Sequence, residues 1–184
     1  MKLSKFFKSN SEIQNINIVL TDLNGIFRGK KIPVSQIDKI EKGNFRMPFS
    51  VLNLDIWGND IEKSRWVFDT GDADGKCFWT KRKPLILSMG NIKNAIIPVA
   101  MHHEDGKEFL GDPYHFLMGI ENNLKNKKLM PIVGVELEFY LIKEGAKNDP
   151  SESNMYSISE LNKNSELFDE ISVVCEENNI KIES

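Results

Sequence analysis

The sequence predicts an α+β chain, and three observations carry that prediction. Short β-branched, apolar runs fill the first 110 or so residues with a single short helix among them. An Asn-Gly pair joins two of those runs directly, the strongest short-range hairpin signal. At Gly111 the apolar period changes to that of a helix, which begins at Asp112-Pro113.

The elements follow in order. INIVLTDL (16–23) reads as a strand, Asn24-Gly25 as a type I′ turn, and IFRGKKIPV (26–34) as the returning strand, ended by Pro33. VSQIDKIEKG (34–43) is a short helix closing near Gly43, with Val34, Ile37 and Ile40 on its buried face. PFSVLNLDI (48–56) is expected to be a strand, followed by a turn at Gly58-Asn59. Residues 58–84 are polar and read as an irregular loop. Within them DTGDADG has acidic spacing loosely like a calcium loop, but no glutamate closes the frame, so a solvated loop is expected. PLILS and AIIPVAM give two more strands, the second facing EFL across His103–Gly106. His102 and His103, adjacent on a strand, point to opposite faces and do not readily share one metal.

After Asp112-Pro113, the residues Phe116, Leu117, Ile120 and Leu124 form a helical apolar stripe, ending at the basic run KNKK. MPIVGVELEFYLI (130–142) is expected to be a strand and KEGAKNDPSESN a polar loop. A last helix spans roughly 165–177, and IKIES begins a further strand.

Composition limits the function classes. The chain has 184 residues, 24 Lys+Arg against 27 Asp+Glu, a formal net charge of -3 and 40% hydrophobic residues. That balance fits a globular protein and argues against binding to a phosphate backbone, so no nucleic-acid partner is expected. No run approaches the roughly 20 apolar residues of a membrane helix, so no membrane partner is expected either. The opening MKLSKFFKSN lacks the apolar core of a secretory leader. Cys77 and Cys175, without a CxxC or histidine-rich spacing, fit a reducing compartment; a cytoplasmic location is expected.

The segment that carries chemistry is GVELEFYL (134–141). On a strand, Val133, Val135, Leu137, Phe139 and Leu141 share an apolar face, and Glu136, Glu138 and Tyr140 share the other. Carboxylates two residues apart stand roughly 7 Å from each other. Each can hold one of two hard divalent cations, and such a pair clamps a transferring phosphoryl group. The competing reading is an amphipathic strand with a wet acidic face.

TDLNGIFRGKKIPV (21–34) with Glu41-Lys42-Gly43, then Asp112-Pro113 opening a helix, then GVELEFYL, resembles the glutamine synthetase family. Together with Met155-Tyr156-Ser157, the pattern is most similar to that family's glutamate–putrescine ligase branch. The resemblance covers essentially the whole chain and implies an N-terminal β-grasp domain (13–110). It also implies the first, incomplete part of a glutamine-synthetase-type catalytic domain (111–184). The activity it implies is ATP-dependent ligation of the glutamate γ-carboxylate to ammonia or a small amine or polyamine, through a γ-glutamyl phosphate. The cofactors are Mg²⁺ or Mn²⁺, with ATP as co-substrate. Glu136 is implied to ligate the metal nearer the ATP phosphates, and Glu138 the metal facing glutamate and the neighbouring subunit.

Family active sites lie between subunits of a homo-oligomeric ring. Asp55 aligns with the acid offered to the incoming amine in the neighbouring subunit. Ammonia-using members carry Asp-Gly-Ser-Ser there; this chain has Asp-Ile-Trp-Gly, a departure expected for an amine larger than ammonia. The competing reading is an aspartate that satisfies its own turn. Family members also supply further metal carboxylates, ATP loops and a glutamate-binding arginine after the point where this sequence stops. The 184-residue chain alone is therefore expected to be inactive, and the alternative function is a non-catalytic β-grasp module that docks onto and modulates full-length ligases.

Overall fold

The computed structural model describes residues 2–89, 92–139, 141 and 156–183. The chain divides into two compact units, Met1–Leu129 and Met130–Ser184. No helix among the described residues is long and apolar enough to cross a membrane.

In the first unit, α1 (Leu3–Ser9) buries Leu3, Phe6 and Phe7. β1 (Asn15–Thr21) and β2 (Phe27–Pro33) form the expected antiparallel hairpin, in register from Asn15 opposite Pro33 to Thr21 opposite Phe27. The turn is not type I′. Gly25 has φ +76, but Asn24 does not share the left-handed region; Gly25 N–H donates to Asp22 O, and Asp22 N–H to Ile26 O. That is a three-residue loop with glycine at the bulge. The Asp22 carboxylate selects it by accepting from the Asn24 and Ile26 N–H groups, an Asx turn that competes with I′ geometry.

A single 3-10 turn (Val34–Gln36) leads into α2 (Ile37–Glu41), which buries Ile37 and Ile40 before Gly43 turns the chain at φ +67. β3 (Phe45–Pro48) then gives way to a 3-10 turn at Phe49–Leu52, which corrects the expected strand over 48–56. Phe49 and Leu52 are buried three residues apart, the period of a 3-10 helix and not of a strand. The 58–84 stretch is also more ordered than its polarity suggests, containing α3 (Arg65–Phe68) and β4 (Asp74–Trp79). β5 (Leu85–Met89) and β6 (Ile92–His102) complete the sheet.

Strand order is β2-β1-β6-β4-β3, with β5 also paired to β6. β1 and β6 run parallel, whereas the other pairs are antiparallel; this mixed sheet with a central parallel pair is the β-grasp arrangement. Besides pairing with β1 through residues 94–98, the eleven-residue β6 serves two further neighbours in turn: residues 92–96 pair with β5 and residues 99–102 with β4. Pro98, which has no N–H to give, sits at the hand-over, and its carbonyl accepts from Thr80. The core gathers Ile16, Ile18 and Leu20 of β1, Ile97, Val99 and Met101 of β6, Met47, Cys77 and Trp79, and the α1 aromatics. Burial pushes the Cys77 thiol up to about 12, so it packs as an inert apolar group.

α4 (Pro113–Asn126) starts where the Asp112-Pro113 signal places it. Its stripe, however, is not covered: Phe116 is 71% exposed, and Leu117 and Ile120 also face outward. Its first turn is anchored through the buried Asp112 and His115.

The second unit contains α5 (Ile158–Lys163) and α6 (Ser165–Glu177), the latter with the expected bounds. The expected strand over 130–142 does not form in residues 130–139, which are irregular and exposed, with Val135 79% and Leu137 83% accessible. Residues 180–183 are likewise not a strand. The reason is the same for both. Alternation assigns side chains to faces, but a strand also needs a neighbour for its N–H and C=O groups, and no described strand pairs with either segment. Tyr140, the polar loop and Met155 lie outside the described residues.

Candidate functional site

The best-formed constellation lies where the β1–β2 hairpin tip meets residues 54–59. Asp55 sits at the entry to LDIWGND, a tight loop that its own carboxylate organises. Oδ1 accepts from Trp57 N–H and Asn59 N–H at 2.8 Å each, and Oδ2 from the Asn59 side-chain amide at 3.2 Å. The backbone closes the same loop: Asp55 N–H donates to Asn59 O, Gly58 N–H donates to Asp55 O, and Gly58 takes φ +88. The Asn59 backbone hydrogen bond, above the smaller contributions of its side chain and of Trp57 and Gly58, holds the Asp55 carboxyl below the usual carboxylate range. Asp55 is therefore an anion at neutral pH. Beside it, Ile56 and Trp57 are 61% and 85% exposed.

The hairpin tip fixes this loop from behind. Asp22 is buried and accepts from Arg28 Nε at 2.8 Å as well as from its two turn N–H groups. Burial alone would raise its pKa; the Arg28, Ile26 and Asn24 hydrogen bonds outweigh that and bring it below the usual value. Arg28, so oriented, donates from Nη2 to Asp55 O at 2.9 Å, and Asn24 Nδ2 donates to Leu54 O at 3.2 Å. This Asp22–Arg28–Asn24 support was not part of the sequence expectation. Its local signal was the Asp22…Arg28 spacing across a short hairpin, but the partner loop lies about thirty residues on.

The two glutamates of the second unit stand differently. Glu136 and Glu138 lie in the irregular, exposed 130–139 segment, not on a paired strand. As hard oxygen donors they suit Mg²⁺ or Mn²⁺ in kind. No group of three or more His, Cys, Asp or Glu side chains among the described residues gathers to hold a metal.

The histidines and the carboxylates Asp69 and Asp72 are engaged within the fold. His102 and His103 do project to opposite faces: His102 stacks edge-on against Phe78 and His115 at 4.9 and 4.7 Å, and His103 lies against Phe49 and Phe109. Burial is the main cause that lowers the His102 pKa. His115 Nε2–H donates to Met101 O at 2.8 Å. In the 69–75 acidic stretch, Asp72 accepts from Ser50 and Asp69 pairs with Arg65, leaving both engaged locally.

The fold and the loop geometry can be set against known proteins. No protein-family model matches the chain. A solved ADP complex of GmaS aligns with TM-score 0.72 and 22% identity, covering 95% of this chain and 39% of that one. GmaS without ligand gives 0.68 and 18%, covering 96% and 40%. A crystal structure of a novel glutamine synthase homolog gives 0.55 and 16%, covering 62% and 27%. These likenesses define a glutamine-synthetase-type fold. At the level of sequence, gamma-glutamylputrescine synthetase PuuA of Escherichia coli (strain K12) is 32% identical over 191 residues, 92% of this chain and 39% of that protein. The chain belongs to the glutamine synthetase family, and it spans 39% of the length of the curated relative it matches.

Proposed function

We propose that this chain is the N-terminal part of an ATP-dependent ligase that joins the glutamate γ-carboxylate to an organic amine. The observation that carries the reading is the 32% identity to a γ-glutamylputrescine synthetase along 92% of the chain. The Asp-Ile-Trp-Gly sequence at the amine position adds to it. In this reading residues 13–110 are the β-grasp domain and residues 111–184 the start of the catalytic domain. The protein works in the cytoplasm as a homo-oligomeric ring, each β-grasp domain completing its neighbour's active site.

The reaction balances as follows. A γ-carboxylate oxygen of glutamate attacks the terminal phosphorus of ATP, the bond to ADP breaks, and a γ-glutamyl phosphate forms. The amine, arriving as its ammonium ion, loses one proton to solvent; its neutral nitrogen then attacks the acyl carbon, phosphate leaves, and a second proton is released as the amide forms. Glu136 and Glu138 would hold Mg²⁺ or Mn²⁺, which supply positive charge to the phosphoryl oxygens during transfer when bound. Asp55 attracts the amine as its ammonium ion, because its carboxylate is kept ionised by the loop N–H groups. Ile56 and Trp57 offer apolar surface to a hydrocarbon tail, a contact ammonia cannot use.

The test is phosphate release and amide product with ATP, glutamate and Mg²⁺, supplied with putrescine, methylamine or ammonia. A longer ligase that begins with these 184 residues turns over with an organic amine in preference to ammonia. The 184-residue chain alone gives no product; glutamate- and amine-dependent ADP release by it would overturn the fragment reading.

A further inference from the structure

The structure assigns Arg28 and Asn24 as positioning residues: from the hairpin tip they fix where the Asp55 carboxylate and the Trp57 side chain are presented. This rests on the reading of Asp55 as the amine contact, and it adds two residues that never touch the amine.

The argument is one of geometry. Arg28 uses its fork on two partners at once, Nε on the Asp22 carboxylate and Nη2 on the Asp55 carbonyl, at 2.8 and 2.9 Å. A guanidinium is planar and rigid, so fixing Nε fixes the direction in which Nη2 points. Asp22 is itself held by two backbone N–H groups in the turn, and its side chain is fully buried. The direction is therefore set by the hairpin backbone and not by solvent. Asn24 grips the preceding carbonyl, that of Leu54. Two consecutive carbonyls at the loop entry are thus tied to one rigid hairpin tip. From that entry the carboxylate and the Trp57 N–H are joined at 2.8 Å, so a displacement of the backbone at 54–55 moves anion and indole together.

Space enforces the same contact. Gly58 has φ +88, and a Cβ there would meet Arg28 Nη1 at 3.1 Å, so the guanidinium packs against the loop backbone itself. Lysine, a single rotatable ammonium with its three N–H donors on one atom, lacks the rigid fork that holds Asp22 and the Asp55 carbonyl in fixed directions simultaneously. None of the three anchor bonds uses the Ile56 or Trp57 side chain, and both stay exposed at 61% and 85%.

The experiment has two arms. On the 184-residue chain, amide hydrogen exchange at Trp57 and Asn59 is measured for the wild type, Arg28→Ala, Arg28→Lys and Asn24→Ala. Loss of a charge-assisted hydrogen bond speeds exchange at both amides by roughly tenfold in Arg28→Ala, with Asn24→Ala smaller. Exchange in β6 stays at the wild-type rate, which separates loosening of the loop from loss of the fold. Should Arg28→Ala not fold, Asn24→Ala, which removes the bond to the Leu54 carbonyl and a long one to Asp22 Oδ2 but keeps the Asp22–Arg28 pair, carries the test. Unchanged exchange at 57 and 59 in folded variants overturns the assignment. On a family-length ligase carrying the same substitutions, the KM for the amine rises roughly tenfold while those for glutamate and ATP stay within about twofold. Faster exchange with an unmoved amine KM would leave the clamp standing and overturn the amine role of Asp55 instead.

Discussion

Replacing Asp112 by alanine removes two different supports at one point. Asp112 is 1% exposed; its Oδ1 accepts from Tyr114 N–H at 2.9 Å as the N-cap of α4, and its Oδ2 accepts from Met101 N–H at 2.8 Å in β6. Loss of the cap costs about 1 kcal/mol. The Met101 N–H, on a fully buried residue, is left without a partner at a further cost of about 1–3 kcal/mol. Burial raises the Asp112 pKa against the opposing hydrogen bonds, so part of the loss is offset by relief of a desolvated charge. The expected net change is about 2–3 kcal/mol of destabilisation.

The sign of the pH effect follows from the raised pKa. The protonated form is favoured in the fold, so its contribution is fully present below the unfolded-state pKa and is lost as pH rises through the folded one. Alanine abolishes that dependence. Urea unfolding followed by tryptophan fluorescence reads the first unit alone, because all three tryptophans, Trp57, Trp66 and Trp79, lie in it. A midpoint shift equivalent to less than about 0.5 kcal/mol would refute the reasoning, since that is the range of an ordinary surface change. Asp112→Asn serves as the control: its amide can keep the Tyr114 bond but turns a donor toward Met101 N–H, so it too is destabilising.

Three further outcomes follow from the same contacts. Gly29→Ala puts a Cβ against the Ile18 carbonyl in the paired strand, so β1 and β2 must part; circular dichroism melts show a Tm lowered by several degrees. Glu104, hydrogen-bonded by Arg46 and then by Lys76, is brought down to about 2. Its depressed pKa means the contribution is present above the ordinary value of 4.5 and is lost as pH falls toward 2, and carboxyl NMR of Arg46→Ala shows Glu104 titrating nearer that ordinary value. Trp57→Ala leaves the unfolding midpoint within about 0.5 kcal/mol, because the indole is exposed, yet raises the amine KM of the ligase.

The hairpin, α2, the Asp112-Pro113 helix start and α6 were legible in the sequence because each is specified locally, by a turn pair, a cap or an apolar period. The same residues misled where tertiary partners decide. Asn24-Gly25 suggests a type I′ turn, but the Asp22 carboxylate captures the turn N–H groups first. β4 was hidden because its inward positions are Gly75, Cys77 and Trp79, and the first has no side chain to register as apolar. Gly75 is there for space: a Cβ would press on Met101 and Phe49. Residues 130–139 carry a strand's alternation, but no described strand pairs with them, so the strand that alternation implies does not form. At the candidate site, Asp55 could be found by resemblance, whereas Arg28 could not, because its contact with Asp55 depends on the fold bringing residues 28 and 55 together.

The central claim is that these residues serve a metal-dependent amine ligase. It is tested most directly by the Mg²⁺ dependence of putrescine- and glutamate-stimulated phosphate release. The assay uses a ligase that carries residues 1–184, measured alongside Glu136→Gln and Glu138→Gln. The account predicts release that requires both glutamate and the amine, with kcat falling by at least roughly tenfold in each variant as metal charge is lost from the phosphoryl oxygens. Release that ignores the amine, or variants that match the wild type across the Mg²⁺ range, would contradict it.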